Sequence, residues 1–454
     1  MAHLREPGDI PPTFRIDLSL PPSERYVVLA SAYRQRLRSL VDIFEELISS
    51  LEGLVSPKWV YRVAPILLRK LYTCEETQEI KGISRVTGID LYILVSLNVF
   101  LDLLMGCTSG AALTKQPHNT DGKMLHFRTL DWDMDELRRL IVKLEYVRGS
   151  ESNTVIATSV TYVGFVGILT GVRRGLSISL NFRPNHNSSR FLANYRFYGS
   201  HLLVLLGMRR SISSLLRKYI LSPDLDHIQT QSWLGRILRR KGSNITSKTT
   251  LDWIAENLPR VPTTAAYLIM CDGNSAIVFE KDHRSAVIQR SSSFVVATNS
   301  DLAKISLAVQ KEEAVEHDKG RDDRIIDTSN EPLDLDDLIF LSAERRAHMQ
   351  DAWEKKVKEK REKPSTSHDY STAKPVLSQP SCQLGPTMDC RLDVSLDLCG
   401  DNQVTAMPSE ITEWINGYPV TNEMTHFAAI MDPTLGQVAW LRRYLEPPTH
   451  NDNS

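Results

Sequence analysis

Gly106-Cys107-Thr108-Ser109, followed by His126-Phe127-Arg128-Thr129-Leu130-Asp131-Trp132-Asp133, is the stretch on which the reading of this chain turns. Upstream of it the residues pattern as helix, and downstream as strand. From Leu91 to Met105 the chain is almost continuously apolar and runs straight into Gly106. Beyond Cys107, short runs rich in Val, Ile and Thr take over. A lone cysteine behind an apolar helix is ordinarily packing. Here a glycine precedes it, which leaves room for the thiol to attack the carbonyl before it. That attack moves an acyl group from nitrogen to sulfur, and water then releases a new N-terminus. An α-amino group titrates at about 7.7–8.0, so it can take the thiol proton near neutrality. Arg128 and Asp131, three apart after a strand, are placed to hold that amine and thiol. On an open surface the same pair would be an ion pair of little worth.

Working outward, residues 1–106 are expected to be mainly helical. Tyr33, Leu37, Leu40, Val41, Phe44, Leu47, Ile48 and Leu51 recur at a helical period over 33–55, with Arg36, Arg38, Asp42, Glu45 and Glu46 opposite. A second helix follows Pro57 and a third covers 91–105. The apolar run Ile89 to Met105 carries Asp90, Asn98 and Asp102. It is too short and polar to span a bilayer, so it reads as a buried helix. The first fourteen residues contain no apolar run of the signal-peptide kind.

Downstream, strands are expected at 123–128, 140–148, 154–162, 165–170 and 176–182. Helix is expected at 200–221, amphipathic enough to lie against a membrane or pack inside the protein, and at 248–258. A second strand set follows at 266–271, 276–280, 286–289 and 294–298, and the last strands at 426–431 and 438–444. Asp272-Gly273-Asn274 marks a hairpin. From about 351 to 405 the chain turns polar and Pro/Ser-rich, which reads as a disordered surface insertion. Helices, then two strand sets separated by helices, point to a layered α+β protein.

Composition narrows the function classes. Lys and Arg total 54 against 55 Asp and Glu, so the basic excess of a nucleic-acid binder is missing. None of the six cysteines forms a CxxC pair, which argues against a zinc ribbon, and the chemistry around Cys107 calls for neither metal nor cofactor.

Six blocks occur in one order: PPTFRIDLSLPPSERY at 11–26, CTS at 107–109, HFRTLDWD at 126–133, TYVGFVGILTG at 161–171, ATNSD at 297–301 and THFAAIMDPTLGQ at 425–437. This order resembles the acid ceramidase and N-acylethanolamine acid amidase family, within the wider choloylglycine hydrolase group. The resemblance implies an N-terminal-nucleophile αββα sandwich preceded by a helical segment. Residues 1–106 would become an α chain and 107–454 a β chain of one precursor. It implies hydrolysis of a lipid amide, ceramide first and an N-acylethanolamine or other N-acyl amine second, the substrate being presented by a membrane. A non-catalytic lipid-binding relative is the rival of a different class. By the same resemblance Cys107 is the autocatalytic nucleophile, Arg128 and Asp131 hold it, Asn299 donates to the oxyanion, and Arg324, in Asp323-Arg324, is a second active-site arginine. Trp132, Tyr162 and Phe165 are candidates for the acyl channel, and Asn181 for a substrate contact. The family's Asn-Glu-Arg reads Asn181-Phe182-Arg183 here, so an acidic residue is missing. Members of the family are lysosomal or secreted.

Overall fold

The computed structural model describes residues 9–38, 41, 57–100, 106–115, 122–149, 154–184, 186, 193–222, 249–301, 335–362, 391–392 and 403–448. In chain order the strands are β1 (Thr13–Asp17), β2 (Gly106–Thr114), β3 (Lys123–Asp131), β4 (Ile141–Val147), β5 (Ala157–Tyr162), β6 (Thr170–Arg173), β7 (Leu176–Phe182), β8 (Ala266–Cys271), β9 (Ala276–Lys281), β10 (Ala286–Ser291), β11 (Phe294–Ala297), β12 (Arg391–Leu392), β13 (Thr425–Asp432) and β14 (Gln437–Arg443). The helices used below are α1 (Val27–Ala32), α2 (Pro57–Leu67), α3 (Cys74–Thr87), α4 (Leu91–Phe100), α5 (Ala193–Leu205), α6 (Ile212–Leu221), α7 (Thr250–Asn257), α8 (Leu335–Glu362) and α9 (Pro408–Asn416).

Among the described residues the strands form two sheets, ordered β1-β4-β5-β6-β7-β8-β9-β10-β12 and β11-β2-β3-β13-β14. The sheets pack face to face, with β2 and β3 against β7, β8 and β9. Helices α8 and α9 cover the outer side of the smaller sheet, and α6 packs on β6 and β7 of the larger one. This is the expected αββα layering. Side-chain alternation in β2 and β3 produces it. Ala111, Leu113 and Met124 point into the space between the sheets, against Tyr267, Ile269 and Val278. Ala112, Leu125 and Phe127 point the other way, against Met349 and Trp353 of α8 and Ile411 and Ile415 of α9. With both faces covered, β2 and β3 are buried almost throughout.

Four expectations change. The N-terminal segment is not purely helical, because β1 joins the large sheet as an edge strand parallel to β4. The helical stripe expected over 33–55 gives a short helical turn at Arg36–Arg38, and most of the remainder lies outside the described residues. Residues 165–169 form a loop rather than a strand. Its polar backbone is satisfied in part by the Asn98 side chain, which donates to the Gly164 carbonyl and accepts from the Val166 N–H, each at 2.8 Å. The helix over 200–221 is broken at Gly207, whose φ is +61°, and restarts at Ser211, whose Oγ caps α6.

The polar run beginning at 351 starts as helix. Met349 and Trp353, four apart, are buried on one face of α8, while its many Lys and Glu residues face outward. Most of 363–402 lies outside the described residues. Helix α4 ends at Phe100, and among the described residues no helix is long and apolar enough to cross a membrane.

Two outcomes follow from the packing on the two faces of β2 and β3. A Cβ at Gly110 would lie 2.2 Å from the Val295 carbonyl oxygen and 2.5 Å from the Phe127 ring. Gly110→Ala is therefore expected to destabilise the chain by about 1–3 kcal/mol or more, read as a lower midpoint in chemical denaturation. His126, sealed between the sheets, hydrogen-bonds Ser177 and Ser179 at 2.9 Å each. Burial, reinforced by Arg128, pushes its imidazole down from 6.5 to about 3. The unfolded chain therefore binds a proton below pH 6.5 that the folded chain refuses until about 3. The neutral imidazole's contribution is fully present above 6.5 and is lost as pH falls through this window. The slope reaches at most about 1.4 kcal/mol per pH unit. Denaturation of wild type and His126→Gln from pH 7 to 3 should show a shallower decline in the variant, and equal slopes would sink the assignment.

Candidate active site

Cys107 is the second residue of β2, and the antiparallel register sets it opposite Leu130, with Ser109 opposite Arg128 and Gly106 opposite Asp131. The alternation that buries Ala111 and Leu113 between the sheets also turns the Cys107 and Arg128 side chains inward. Both are fully buried, as is Asp131. An Arg128 Nη2 donates to the Cys107 Sγ at 3.3 Å, and the Leu180 carbonyl oxygen lies 3.8 Å from that sulfur. Arg128 is fixed from the other sheet, donating through Nη1 to the Leu180 carbonyl at 2.7 Å and to Asn181 Oδ1 at 3.4 Å. Burial pushes the Cys107 thiol up. Arg128 is the main opposing influence, while Asp131 adds to the rise. The thiol of the intact chain is thus a protonated, enclosed group.

Asn299 follows β11 and reaches Cys107 from the other flank. Its Oδ1 accepts from the Cys107 N–H at 2.8 Å, and its Nδ2 donates to the Phe182 carbonyl at 2.8 Å. The amide oxygen, not the nitrogen, therefore faces Cys107. Donation to an oxyanion, as the resemblance implies, requires the amide in the opposite sense.

Asp131 receives a hydrogen bond from Thr425 Oγ1 at 2.8 Å and is ion-paired with Arg345. Burial raises its carboxyl, and Arg345 and Thr425 oppose the rise. Arg345 also donates to Asn299 Oδ1 at 3.0 Å. One guanidinium thus ties the Asp131 carboxylate to the amide that holds the Cys107 nitrogen. Arg324 lies outside the described residues. Arg345, the arginine that meets Asp131 and Asn299, lies in none of the six ordered blocks. Its signal was periodic: Ser342, Arg345, Met349 and Trp353 share one buried face of α8. A buried arginine in an apolar stripe calls for a carboxylate partner. Ser342 also serves the site, since its Oγ accepts from the Asn299 N–H at 2.8 Å.

The remaining expected positions are close by and enclosed. Asn181 is fully buried, and its amide is spent within the protein. It accepts from Ser109 Oγ at 2.7 Å and donates to the Ala297 carbonyl at 3.1 Å. Trp132 meets Tyr162 edge-on at 6.2 Å, and the Tyr162 hydroxyl lies 2.8 Å from His426 Nδ1. Trp132, Tyr162 and Phe165 share the main apolar core with Cys107.

The two halves of the chain meet beside this core. Arg217 of α6 is ion-paired with fully buried Glu79 of α3, and Arg25 reaches Glu79 at 3.0 Å. Tyr26 packs into the same core.

Comparison with known proteins gives partial matches. The sequence profile described as the beta subunit of N-acylethanolamine-hydrolyzing acid amidase matches residues 9–72. These residues lie within the N-terminal segment and include β1 and Arg25, one of the two arginines that meet Glu79. The chain is 32% identical over 188 residues to an acid ceramidase of Mus musculus, covering 39% of this chain and 46% of that protein. It is 30% identical over 188 residues to an N-acylethanolamine-hydrolyzing acid amidase of Caenorhabditis elegans, covering 39% of this chain and 49% of that protein. The chain thus matches about half the length of these relatives. A solved structure of the Caenorhabditis elegans amidase ortholog superposes with a TM-score of 0.38 and 19% identity, covering 73% of this chain and 95% of that one. Over part of its length the chain is thus similar to acid ceramidases and to N-acylethanolamine-hydrolyzing acid amidases.

Proposed function

We propose that this chain is a lipid amide hydrolase that cuts itself between Gly106 and Cys107 and then uses Cys107 as an N-terminal nucleophile. The observation that carries the reading is the convergence on one residue. The Cys107 nitrogen lies 2.8 Å from Asn299 Oδ1 and its sulfur 3.3 Å from Arg128, with Asp131 and Arg345 directly behind. A structural cysteine needs no such set of polar partners, each itself buried and held.

In the precursor, the Cys107 thiolate attacks the Gly106 carbonyl. The C–N bond breaks, its nitrogen takes a proton, and a thioester joins Gly106 to the sulfur. Water hydrolyses the thioester, leaving Gly106 with a carboxylate and Cys107 with a free amine. In the mature enzyme that amine removes the thiol proton and the thiolate attacks the substrate amide. Collapse expels the amine product, which takes the proton back from the Cys107 ammonium. Water then releases the fatty acid from the acyl-enzyme. Arg128 favours the thiolate by its charge, and Asn299 aims the Cys107 nitrogen lone pair by accepting one of its protons. The full burial of Cys107 before cleavage makes separation of Gly106 from Cys107 the event that opens the sulfur to an external substrate.

Two of the similar proteins are named for ceramide and for N-acylethanolamine hydrolysis. Ceramide is the leading substrate and an N-acylethanolamine the second. Trp132, Tyr162 and Phe165 belong to the same apolar core as Cys107, and that apolar character suits the acyl chain of either. The two pieces, 1–106 and 107–454, remain together through β1 in the large sheet and the Glu79–Arg217 pair.

Purified protein analysed by intact mass and terminal sequencing is expected to show two chains, one beginning at Cys107, and Cys107→Ala a single uncut chain. Active wild type that is uncut throughout would defeat the proposal. Assay of cleaved protein against ceramide, an N-acylethanolamine and a bile-salt conjugate then sets the substrate. In protein already cleaved, Asn299→Ala should lower kcat by about 100-fold with a smaller change in KM, and near-normal turnover would remove Asn299 from the mechanism.

A further inference from the structure

The end of β7 and the exit of β11 belong to different sheets, and side chains lace them together in sequence. Asn181 Nδ2 donates to the Ala297 carbonyl at 3.1 Å, and Asn299 Nδ2 donates back to the Phe182 carbonyl at 2.8 Å. The last rung is ionic. Arg183 grips Asp301 with two bonds, Nε to Oδ1 at 2.8 Å and Nη2 to Oδ2 at 3.0 Å. The Tyr267 hydroxyl donates to the same Oδ1 at 2.7 Å, and Arg183 Nη1 donates to the Lys281 carbonyl at 3.2 Å. Tyr267 stands opposite Asn181 in the β7–β8 register, so the clamp is anchored in the large sheet. Arg183 and Asp301 are largely enclosed, with 8% and 15% side-chain exposure, so the pair is poorly screened by solvent. Burial works against the Arg183 charge, but Asp301 more than offsets it.

The geometry points to Arg183 and Asp301 as positioning residues that decide which end of the Asn299 amide faces Cys107. The Phe182 carbonyl lies in the peptide plane that runs into Arg183. Anchoring the Arg183 side chain to Asp301 fixes that plane on one side. Anchoring Asp301, two residues after Asn299, fixes the backbone that carries the amide on the other. With the Phe182 oxygen held, Nδ2 has an acceptor on the far side, and Oδ1 is left facing the Cys107 nitrogen and Arg345. Rotation of the amide would set its NH2 group against the Cys107 N–H and the Arg345 guanidinium, donor against donor. The clamp therefore selects the accepting orientation, and neither residue touches the reacting atoms. This assignment extends the nucleophile reading proposed above and rests on it for its catalytic consequence, though not for its structural one.

The test separates the two. In 15N-asparagine-labelled Cys107→Ala protein, which needs no catalysis, the Asn299 side-chain NH2 signals are identified by their loss in Asn299→Asp. They are expected to be protected from solvent exchange, and Arg183→Gln or Asp301→Asn should move them and remove the protection. In cleaved enzyme, Arg183→Gln should lower kcat by about 10- to 100-fold, with KM changed much less. Arg183→Lys should recover part of the loss, and Arg183→Gln combined with Asp301→Asn should be no worse than either alone. Arg290→Gln, which breaks the surface pair with Asp252, should leave signals and kcat unchanged. Unmoved Asn299 signals in both clamp variants would overturn the clamp whatever the kinetics show. Unchanged kcat in active, cleaved Arg183→Gln would overturn its catalytic consequence. Signals that move as expected in a chain whose wild type shows no Cys107-dependent hydrolysis would leave the clamp standing and the functional reading defeated.

Discussion

The antiparallel register that sets Cys107 opposite Leu130 is the constraint on which the rest of the site depends. Strands β2 and β3 are covered on both faces, so each side chain has only two places to go. One parity enters the space between the sheets and the other meets α8 and α9. Cys107 and Arg128 share the inward parity, which brings thiol and guanidinium to 3.3 Å. A slip of one residue in either strand would turn its member of the pair to the helical side and separate the two. Gly110 guards this register, since any larger residue would collide with the neighbouring strand β11.

The same enclosure explains the polar inventory around Cys107. A carboxylate sealed beside a thiol costs heavily in desolvation unless it is paired. Asp131 is paired with Arg345, which arrives from a helix more than two hundred residues later and also holds Asn299. Thr425, on the adjacent strand β13, takes the other carboxylate oxygen. Each charged group thus has a partner from a different element, and the site forms only when both sheets and α8 are assembled.

The junction between the N-terminal segment and the remainder is built on the same rule. Glu79 has no exposure and is met by Arg217 from α6 and by Arg25 from its own segment. Asn98 repeats the pattern with backbone partners in the loop 163–169. Together with β1 at the sheet edge, these contacts join the two segments without help from the Gly106–Cys107 peptide bond.

The layered class, most of the strands, and the candidates Cys107, Arg128, Asp131 and Asn299, which the fold brings together, are legible in the sequence. Strand periodicity and short ordered blocks are local properties, and local properties survive in a linear text. Strand β1 was missed because a five-residue edge strand beside prolines has too little periodicity to register. The loop at 165–169 patterns as strand because its apolar residues are buried whatever their backbone does, while Asn98, Arg217 and backbone partners outside the sheet take its hydrogen bonds. Arg345 was passed over because its partners, Asp131 and Asn299, lie 214 and 46 residues away. The sense of the Asn299 amide belongs wholly to the tertiary structure. An asparagine is donor and acceptor alike, and only the fold sets the Phe182 carbonyl against one end of the amide and the Cys107 N–H and Arg345 against the other.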